Sequence, residues 1–300
     1  MVESKRDIEQ IHVSVLPNEV LGYLQPKPEG VYMDGTLGLG GHTKMILEAS
    51  SPTGRVVGFE WDENAISRSR VRLAEYGERL TIVRRNFAEI AAGLAEAGVE
   101  QLDGLLIDIG LSSLQLDMGE RGFSFQREEP LDMRMDSRRE VTAASILATA
   151  SADELADIFY YYGEERQARR IAAEVVKHRQ KHELATSTQL ASLVARAVPK
   201  RFHPQKIHVA TKVFQALRIA VNTELENLAK ILDEAPAYLK PGARFCVISF
   251  HSLEDRMVKR KFRQSQELEV LTSKPVAATP EEVDVNPRSR SARLRVAQKR

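Results

Sequence analysis

The 300-residue sequence predicts an α/β protein in which a helical domain is inserted into a domain built on a parallel β-sheet. Short apolar runs alternate with helical patterns through the first third of the chain, and this alternation is the signature of a parallel sheet. Residues from about 112 to 140 then read as a long ordered loop, helical patterns follow from Ser151 to about residue 235, and a strand pattern returns afterwards. We therefore expect a sheet domain of residues 1–114 and 216–300 and an inserted all-helical domain of residues 115–215.

The individual elements follow from their apolar runs and turn residues. The predicted strands are residues 31–33, 55–59, 80–83 and 102–107, with helices at 41–49 and about 63–76. In the insert, Ser151 and Glu154 form a capping box at a helix start, and helical patterns span about 188–198 and 209–235. A last strand is predicted at 245–248 after a Pro241-Gly242 turn, and the Pro-rich, acidic stretch 273–287 is predicted to be a surface loop.

Composition excludes several classes of protein. Hydrophobic residues make up 43% and charged residues 28%, which is the balance of a soluble globular protein. No apolar run approaches the roughly 20 residues that span a membrane, and no apolar signal segment follows the N-terminus. The single cysteine, Cys246, excludes an intrachain disulfide and a multi-cysteine zinc site, so we expect a cytoplasmic protein.

The distribution of charge is uneven although the net charge is only +1. Lys and Arg outnumber Asp and Glu by about three to one between Glu164 and Arg218, and residues 286–300 carry six basic residues and no acidic one. Such clusters neutralise the phosphates of nucleic acids. The alternative is an ordinary solvated surface.

A glycine-rich turn follows the first strand and reads Asp34-Gly-Thr-Leu-Gly-Leu-Gly-Gly-His42. Glycines let a backbone approach a ligand closely, and the helix start that follows favours an anionic group. Glu60 ends the second predicted strand 20 residues after Gly40, where a carboxylate accepts the hydroxyls of a nucleoside ribose. A purely structural turn is the competing interpretation.

The turn also discriminates between nucleoside cofactors. A P-loop requires Gly-Lys-Ser/Thr, whereas Gly41 is followed by His42 and Thr43. A dinucleotide fingerprint would place Thr43 at its third glycine. S-adenosylmethionine carries a ribose and an amino-acid tail but no pyrophosphate, so a methyltransferase is the leading interpretation and a dehydrogenase the weaker alternative.

Seven motifs in order along nearly the whole chain give it a family resemblance. The chain resembles the bacterial 16S ribosomal RNA cytosine-N4 methyltransferases, the MraW-like family, at residues 34–42, 108–115, 121–125, 130–136, 210–222, 249–256 and 286–292. The resemblance implies a class I, Rossmann-like methyltransferase fold with an inserted helical domain. It also implies transfer of a methyl group from S-adenosylmethionine to N4 of a cytidine in the decoding region of 16S ribosomal RNA, within the small ribosomal subunit.

The resemblance further implies a cofactor pocket. Its residues are Gly40, Gly41, His42, Glu60, Phe87, Asp108 and Gln115. The glycines and His42 would hold the methionine end, Glu60 the ribose, and Phe87 would flank the adenine. Aspartate is the usual family residue at the position of Glu60, and glutamate keeps the carboxylate on a longer side chain.

Asp108 is the candidate catalytic residue, because an acceptor at this strand end is placed to hold a hydrogen of the cytidine N4. A cofactor-binding role alone, Asp132, and the backbone of residues 112–113 are the alternatives. The sequence here reads Asp-Ile-Gly-Leu rather than Asp/Asn-Pro-Pro-aromatic, so Phe123 or Phe125 would have to position the base unless they are packing residues.

Other polar and aromatic residues carry weaker signals. His178 and His182 have an i, i+4 spacing, but no third metal ligand is apparent and we expect no metal. His251 either faces the site or forms loop hydrogen bonds, and we expect Tyr160, Tyr161 and Tyr162 to be divided between packing and exposure. A non-catalytic ribosome-assembly protein is the second function class, and intact Gly40, Glu60 and Asp108 favour the enzyme.

Overall fold

A computed structural model describes residues 13–110 and 121–300, and these residues divide into two units. The first, called here the sheet unit, contains residues 13–110 and 225–300, and the second, called the insert, contains residues 121–224. The helix Thr211–Asn222 lies entirely in the insert, so the predicted boundary at residue 215 falls inside a helix.

The sheet unit is organised around one sheet, which has eight strands in the described part of the chain. They are β1 Val31–Asp34, β2 Arg55–Phe59, β3 Leu80–Val83, β4 Leu102–Asp108, β5 Leu239–Ser249, β6 Leu268–Val270, β7 Val276–Ala277 and β8 Arg293–Lys299. The order is β3-β2-β1-β4-β5-β8-β6, with β7 also paired to β8. Strands β1 to β5 are parallel and β8 is antiparallel to its neighbours, which confirms the predicted Rossmann-like α/β class.

Helices cover both faces of the sheet and build the insert. They are α1 Pro17–Leu24, α2 Gly41–Ala49, α3 Glu63–Arg72, α4 Ile90–Glu96, α5 Ala143–Thr149, α6 Ala152–Asp157, α7 Ala168–Arg179, α8 Ser187–Ala197, α9 Thr211–Asn222, α10 Glu224–Glu234, α11 Ser252–Gln264 and α12 Pro280–Val285. A π-helical turn, Ile158–Tyr162, continues α6. Each helix within residues 13–110 and 121–300 is too short or too polar to cross a bilayer.

The core of the sheet unit has two sides because successive strand residues point to opposite faces. On β4, Leu105 and Ile107 pack with residues of α4, α10 and α11, whereas Leu106 packs on the other face with residues of α1 and α2. Burial on both faces explains why the central strands read as continuous apolar runs, the pattern that made them predictable.

Two expectations for the C-terminal part of the sheet unit are wrong. Pro241 and Gly242 do not precede the last parallel strand but lie within β5, where the register with β4 is irregular. Residues 273–287, predicted to be a loop, contain β7 and α12.

The predicted helix over 209–235 is two helices, because Thr223 adopts a left-handed conformation with φ of 50° between α9 and α10.

Side-chain hydrogen bonds cap the starts of three helices of the insert. Thr142, Ser151 and Thr186 each accept a hydrogen bond from the backbone three residues later, and the side chain at that position returns one, so α5, α6 and α8 begin with capping boxes. The buried side of α7 is apolar at helical spacing and includes Ile171 and Val175.

A buried asparagine holds the irregular segment 121–140 of the insert. Asn222, at the end of α9, accepts a hydrogen bond from Met135 N at 2.8 Å and donates one to Met133 O at 2.8 Å. Because both partners are backbone groups, this side chain satisfies polar atoms that an irregular buried segment otherwise leaves unpaired.

Candidate functional site

The strand order reverses between β1 and β4, and ligands of open α/β sheets bind at the carboxyl ends of the strands at such a point. Three carboxylates stand at this edge. Asp34 ends β1, Glu60 directly follows β2 and Asp108 ends β4. The glycine-rich turn of residues 35–40 lies among them.

Backbone hydrogen bonds fix the glycine-rich turn to the sheet. Gly35 N donates to Leu106 O at 2.8 Å, and Leu37 N donates to Phe59 O at 3.0 Å. Gly40 has a φ of 77°, and a Cβ there would lie 2.5 Å from Leu73 Cδ1, so both conformation and space require glycine. Gly40 also precedes α2 as a cap without a side chain, which leaves the first amides of that helix free of a side-chain cap.

Glu60 is buried beneath the turn and its carboxylate is held by three backbone amides. Oε2 accepts from Gly38 N at 2.9 Å, and Oε1 accepts from Trp61 N at 2.9 Å and Asp62 N at 3.0 Å. Burial outweighs these hydrogen bonds and raises the pKa of Glu60 to about 7. The geometry leaves Oε2 with capacity for one further donor.

Asp34 was not among the candidate residues, yet it organises the start of α2. Its Oδ2 accepts from Thr43 Oγ1 at 2.7 Å and its Oδ1 accepts from Thr36 N at 3.1 Å. Burial, with the side chain 1% exposed, raises the pKa of Asp34 above its ordinary value. The signal available in the sequence was its position at the end of the first strand, before the turn.

The buried His42 and the partly buried Asp108 form a pair with unused hydrogen-bonding capacity. His42 Nε2 lies 3.6 Å from Asp108 Oδ2, which is an ion pair only when the imidazole is protonated. Within the described residues, neither ring nitrogen of His42 nor Oδ1 of Asp108 has a hydrogen-bond partner. Since a buried unpaired polar atom costs about 1–3 kcal/mol, this pair has the chemistry of a site for a polar ligand.

Phe87 lies next to the glycine-rich turn. It begins a short 3₁₀ turn after β3, where Asn86 and Glu89 form a capping box. A Cβ built on Gly35 would lie 3.0 Å from Phe87 Cβ, so the aromatic residue is directly beside the glycine-rich turn. The structure thus brings together six of the seven candidate pocket residues, and Gln115 lies outside the described residues.

Residues 9–300 match the model of the MraW methylase family. The chain belongs to this family. It is 68% identical over 293 residues to "Ribosomal RNA small subunit methyltransferase H" of Desulfotalea psychrophila, which covers 98% of this chain and 99% of that protein. It is 52% identical over 299 residues to the protein of the same name from Cyanothece sp., which covers 100% and 98% of the two chains. A solved structure of a putative rRNA methylase from Clostridium thermocellum covers 100% of both chains with 10% identity and a TM-score of 0.47.

The family match confirms the resemblance stated from the motifs, and the structure shows what several other motif residues do in this MraW methylase. His251 is the N-cap of α11, where its Nδ1 accepts from Glu254 N at 3.4 Å, and Glu254 Oε2 accepts from Phe250 N at 2.8 Å. These contacts support the interpretation of His251 as a loop residue that forms hydrogen bonds.

The alternatives in the insert are also engaged in contacts of their own. Asp132 accepts two hydrogen bonds of 2.7 Å from the guanidinium of Arg134. Burial opposes ionisation of Asp132, but this pairing lowers its pKa overall. Phe125 packs on His208 and Phe214, with ring centroids 4.7 and 5.0 Å away. The backbone of residues 112–113 lies outside the described part of the chain.

Proposed function

We propose that this MraW methylase transfers the methyl group of S-adenosylmethionine to N4 of a cytidine in the decoding region of 16S ribosomal RNA, within the small ribosomal subunit. The observation that carries the proposal is the pair of buried His42 and partly buried Asp108 beside the glycine-rich turn. Both ring nitrogens of His42 and Oδ1 of Asp108 have no hydrogen-bond partner among the described residues. The names of the two relatives, which cover nearly the whole chain, support the choice of RNA. The substrate class in turn favours the cytoplasm.

The side chains fit the cofactor by their chemistry. The amides at the start of α2, which have no side-chain cap among the described residues, suit the carboxylate of the methionine end, and Asp108 suits its ammonium group. The remaining lone pair of Glu60 Oε2 suits one ribose hydroxyl, and Phe87 suits the face of the adenine. His42 then completes the methionine end, and Gln115 is proposed from the family motif alone.

The chemical difficulty lies with the cytidine, because the N4 lone pair is delocalised into the ring. When bound, S-adenosylmethionine supplies a methyl group that its sulfonium already makes electrophilic without a metal. Asp108 Oδ1 is an acceptor with no partner among the residues described, so it is suited to hold an N4 hydrogen and to direct the lone pair. Alignment of the reacting atoms at about 3–3.5 Å supplies much of the acceleration.

The insert would grip the RNA around the target. It contains the whole basic stretch between Glu164 and Arg218, and a base must leave its stacked position to reach a methyltransferase pocket. Exposed cations on α7, among them Arg169, Arg170 and Lys177, are suited to the flanking phosphates. Reversal of their charges should weaken binding of the RNA and flatten its salt dependence while binding of S-adenosylmethionine is unchanged.

The direct test is to map N4-methylcytidine in small-subunit ribosomal RNA from cells with and without the gene, and in small subunits incubated with the purified protein and S-adenosylmethionine. We expect one modified cytidine that depends on the protein. Binding of RNA without any methyl transfer would instead support a non-catalytic assembly protein. A modified position outside the decoding region would overturn the assigned site.

The role of Asp108 is tested by two variants at saturating cofactor. If Asp108 is the acceptor, Asp108→Asn keeps an acceptor oxygen and should retain more single-turnover methyl transfer than Asp108→Ala. Calorimetry with S-adenosylmethionine gives the concentration at which each variant is saturated. Wild-type turnover in both saturated variants would restrict Asp108 to cofactor binding.

A further inference from the structure

A cleft in the insert collects basic side chains from two helices. Lys177 and His178 lie in the last turn of α7, Lys181 and His182 follow that helix, and Arg196 lies in the last turn of α8. The rings of the two histidines are 5.5 Å apart between centroids. These five residues, with Glu174 as the one acidic residue of the lining, are called the cationic cleft.

The charges of the cationic cleft are poorly compensated. Glu174 lies 3.9 Å from the ammonium of Lys177, and both side chains are about half exposed or more, so this pair contributes little. Within residues 13–110 and 121–300, the side chains of Lys181 and Arg196 have no ion pair or hydrogen bond. By contrast, Arg179 of the same helix donates to Leu147 O and Ala150 O at 2.8 and 2.7 Å. The insert therefore pairs its structural arginine and leaves the cations of the cleft available.

Helix ends give a competing explanation, since the last turn of a helix favours cations. That effect accounts for Lys177 and Arg196 separately. It does not account for Lys181, which lies beyond α7, or for the convergence of the three cations on one concave surface. Ammonium, guanidinium and imidazole groups around a cleft are together suited to a phosphate, which offers several acceptor oxygens.

We propose that the cationic cleft binds a backbone phosphate of the substrate RNA, an inference that rests on the proposed function. A free phosphate ion has the same chemistry. The RNA backbone is favoured because the cleft lies in the stretch where basic residues outnumber acidic ones by about three to one, and such a surface suits a series of phosphates.

The test compares three double variants for binding to transcribed 16S ribosomal RNA and to purified small subunits over a range of KCl concentrations. Lys181→Gln with Arg196→Gln removes two cations of the cleft, and Lys181→Arg with Arg196→Lys keeps the charge. Lys259→Gln with Arg260→Gln is the matched control, since both residues are exposed and lie on α11 of the sheet unit.

We expect the slope of log K against log salt to become less steep by about 0.7–0.9 in the cleft variant, since the cleft neutralises one phosphate and each phosphate contact contributes about that much. If the curves converge near 1 M salt, this corresponds to about five- to eightfold weaker binding near 0.1 M. The charge-conserving variant and the matched control should behave as wild type, and calorimetry should show unchanged binding of S-adenosylmethionine in all three.

Three results would overturn the proposed phosphate site. In the first, the cleft variant binds RNA with the same affinity and salt dependence as its matched control. In the second, the cleft variant has a lower melting temperature but an unchanged salt dependence, and in the third it loses binding to inorganic phosphate with unchanged affinity for RNA. The second result would assign the cations to the helix ends, and the third would assign the cleft to a free anion. A wild-type protein that neither binds nor methylates the small-subunit RNA would refute the proposed function itself, which is a different outcome.

Discussion

Glu60 should couple the stability of the protein to pH. Its carboxyl is buried under the glycine-rich turn, and its pKa is raised from 4.5 to about 7. Between these values the folded protein binds a proton that the unfolded chain has released, so the free energy of unfolding falls as pH rises through this window. A shift of this size corresponds to about 3 kcal/mol, all of it present below pH 4.5 and lost above pH 7.

The same ionisation should control the affinity for S-adenosylmethionine. In the proposed contact a ribose hydroxyl donates to the ionised carboxylate, so we expect the protonated form to release its proton before the contact forms. With a pKa of about 7, the binding-competent form is about a tenth of the protein at pH 6 and most of it at pH 8. The affinity should therefore rise about tenfold between these pH values and change little above them.

The perturbation that isolates this group is Glu60→Gln, studied by urea unfolding and by calorimetric titration with S-adenosylmethionine from about pH 5 to 8. We expect the pH dependence of both quantities to flatten, and the affinity at pH 8 to fall by about tenfold or more through loss of a charge-assisted hydrogen bond. Glu78→Gln, which changes an exposed glutamate of the same unit, is the matched control and should leave both profiles unchanged.

The difference between the wild-type and Glu60→Gln profiles is the decisive quantity, because Asp34 also has a raised pKa and contributes a slope in the same direction. Identical profiles for wild type and Glu60→Gln would refute the role of Glu60 in both linkages. A flattened unfolding profile with an unchanged calorimetric profile would refute the ribose contact alone.

Two further predictions concern packing in the sheet unit. Gly40→Ala should lower the free energy of unfolding by about 2–3 kcal/mol, because the residue has a left-handed φ and its Cβ would lie 2.5 Å from Leu73 Cδ1. Gly22→Ala is the control: it lies on the exposed face of α1 with no atom within 4 Å of the added Cβ, and should be neutral or stabilising by up to about 1 kcal/mol. Equal midpoints of urea unfolding for the two variants would contradict this prediction. Burial raises the pKa of the Cys246 thiol to about 12, so thiol reagents at pH 8 should label it only as the protein unfolds, and rapid labelling of the native protein would contradict its place in the core.

The sequence predicted the strands of the sheet wherever a strand is a local run of apolar residues. Strands β2 and β3 have the predicted bounds, and β1 and β4 each extend one residue further. For the central strands β1, β2 and β4 the reason is that a strand buried on both faces is a continuous apolar run. The antiparallel β8 had no such signal, since it reads Arg-Leu-Arg-Val-Ala-Gln-Lys. Arg295 is nevertheless buried there, because its guanidinium donates two hydrogen bonds to the carboxylate of Asp255, 40 positions earlier. Nε lies 2.6 Å from Oδ1 and Nη2 lies 3.0 Å from Oδ2. A pairing at that distance along the chain leaves no local pattern.

In the candidate site, too, the sequence predicted where residues lie but not which hydrogen bonds they form. The ends of predicted strands located Glu60 and Asp108 correctly at one edge of the sheet, because parallel strands share that edge. The sequence did not show that Gly38, 22 positions away, donates to Glu60, nor that Asp34 caps the turn through Thr43. Those contacts depend on the path of the turn, which glycine composition leaves open.

The contacts of the three carboxylates at this edge distinguish their roles. Asp34 uses both oxygens on residues of the turn and of α2, and Glu60 uses three of its four lone pairs on backbone amides. Asp34 and Glu60 therefore stabilise the conformation of the turn whether or not a ligand is bound. Asp108 differs, because one oxygen faces His42 at 3.6 Å and the other has no partner among the described residues. A carboxylate whose acceptor is not consumed by the fold is the one suited to a substrate hydrogen, which is the physical reason for assigning the chemistry to Asp108 rather than to its neighbours.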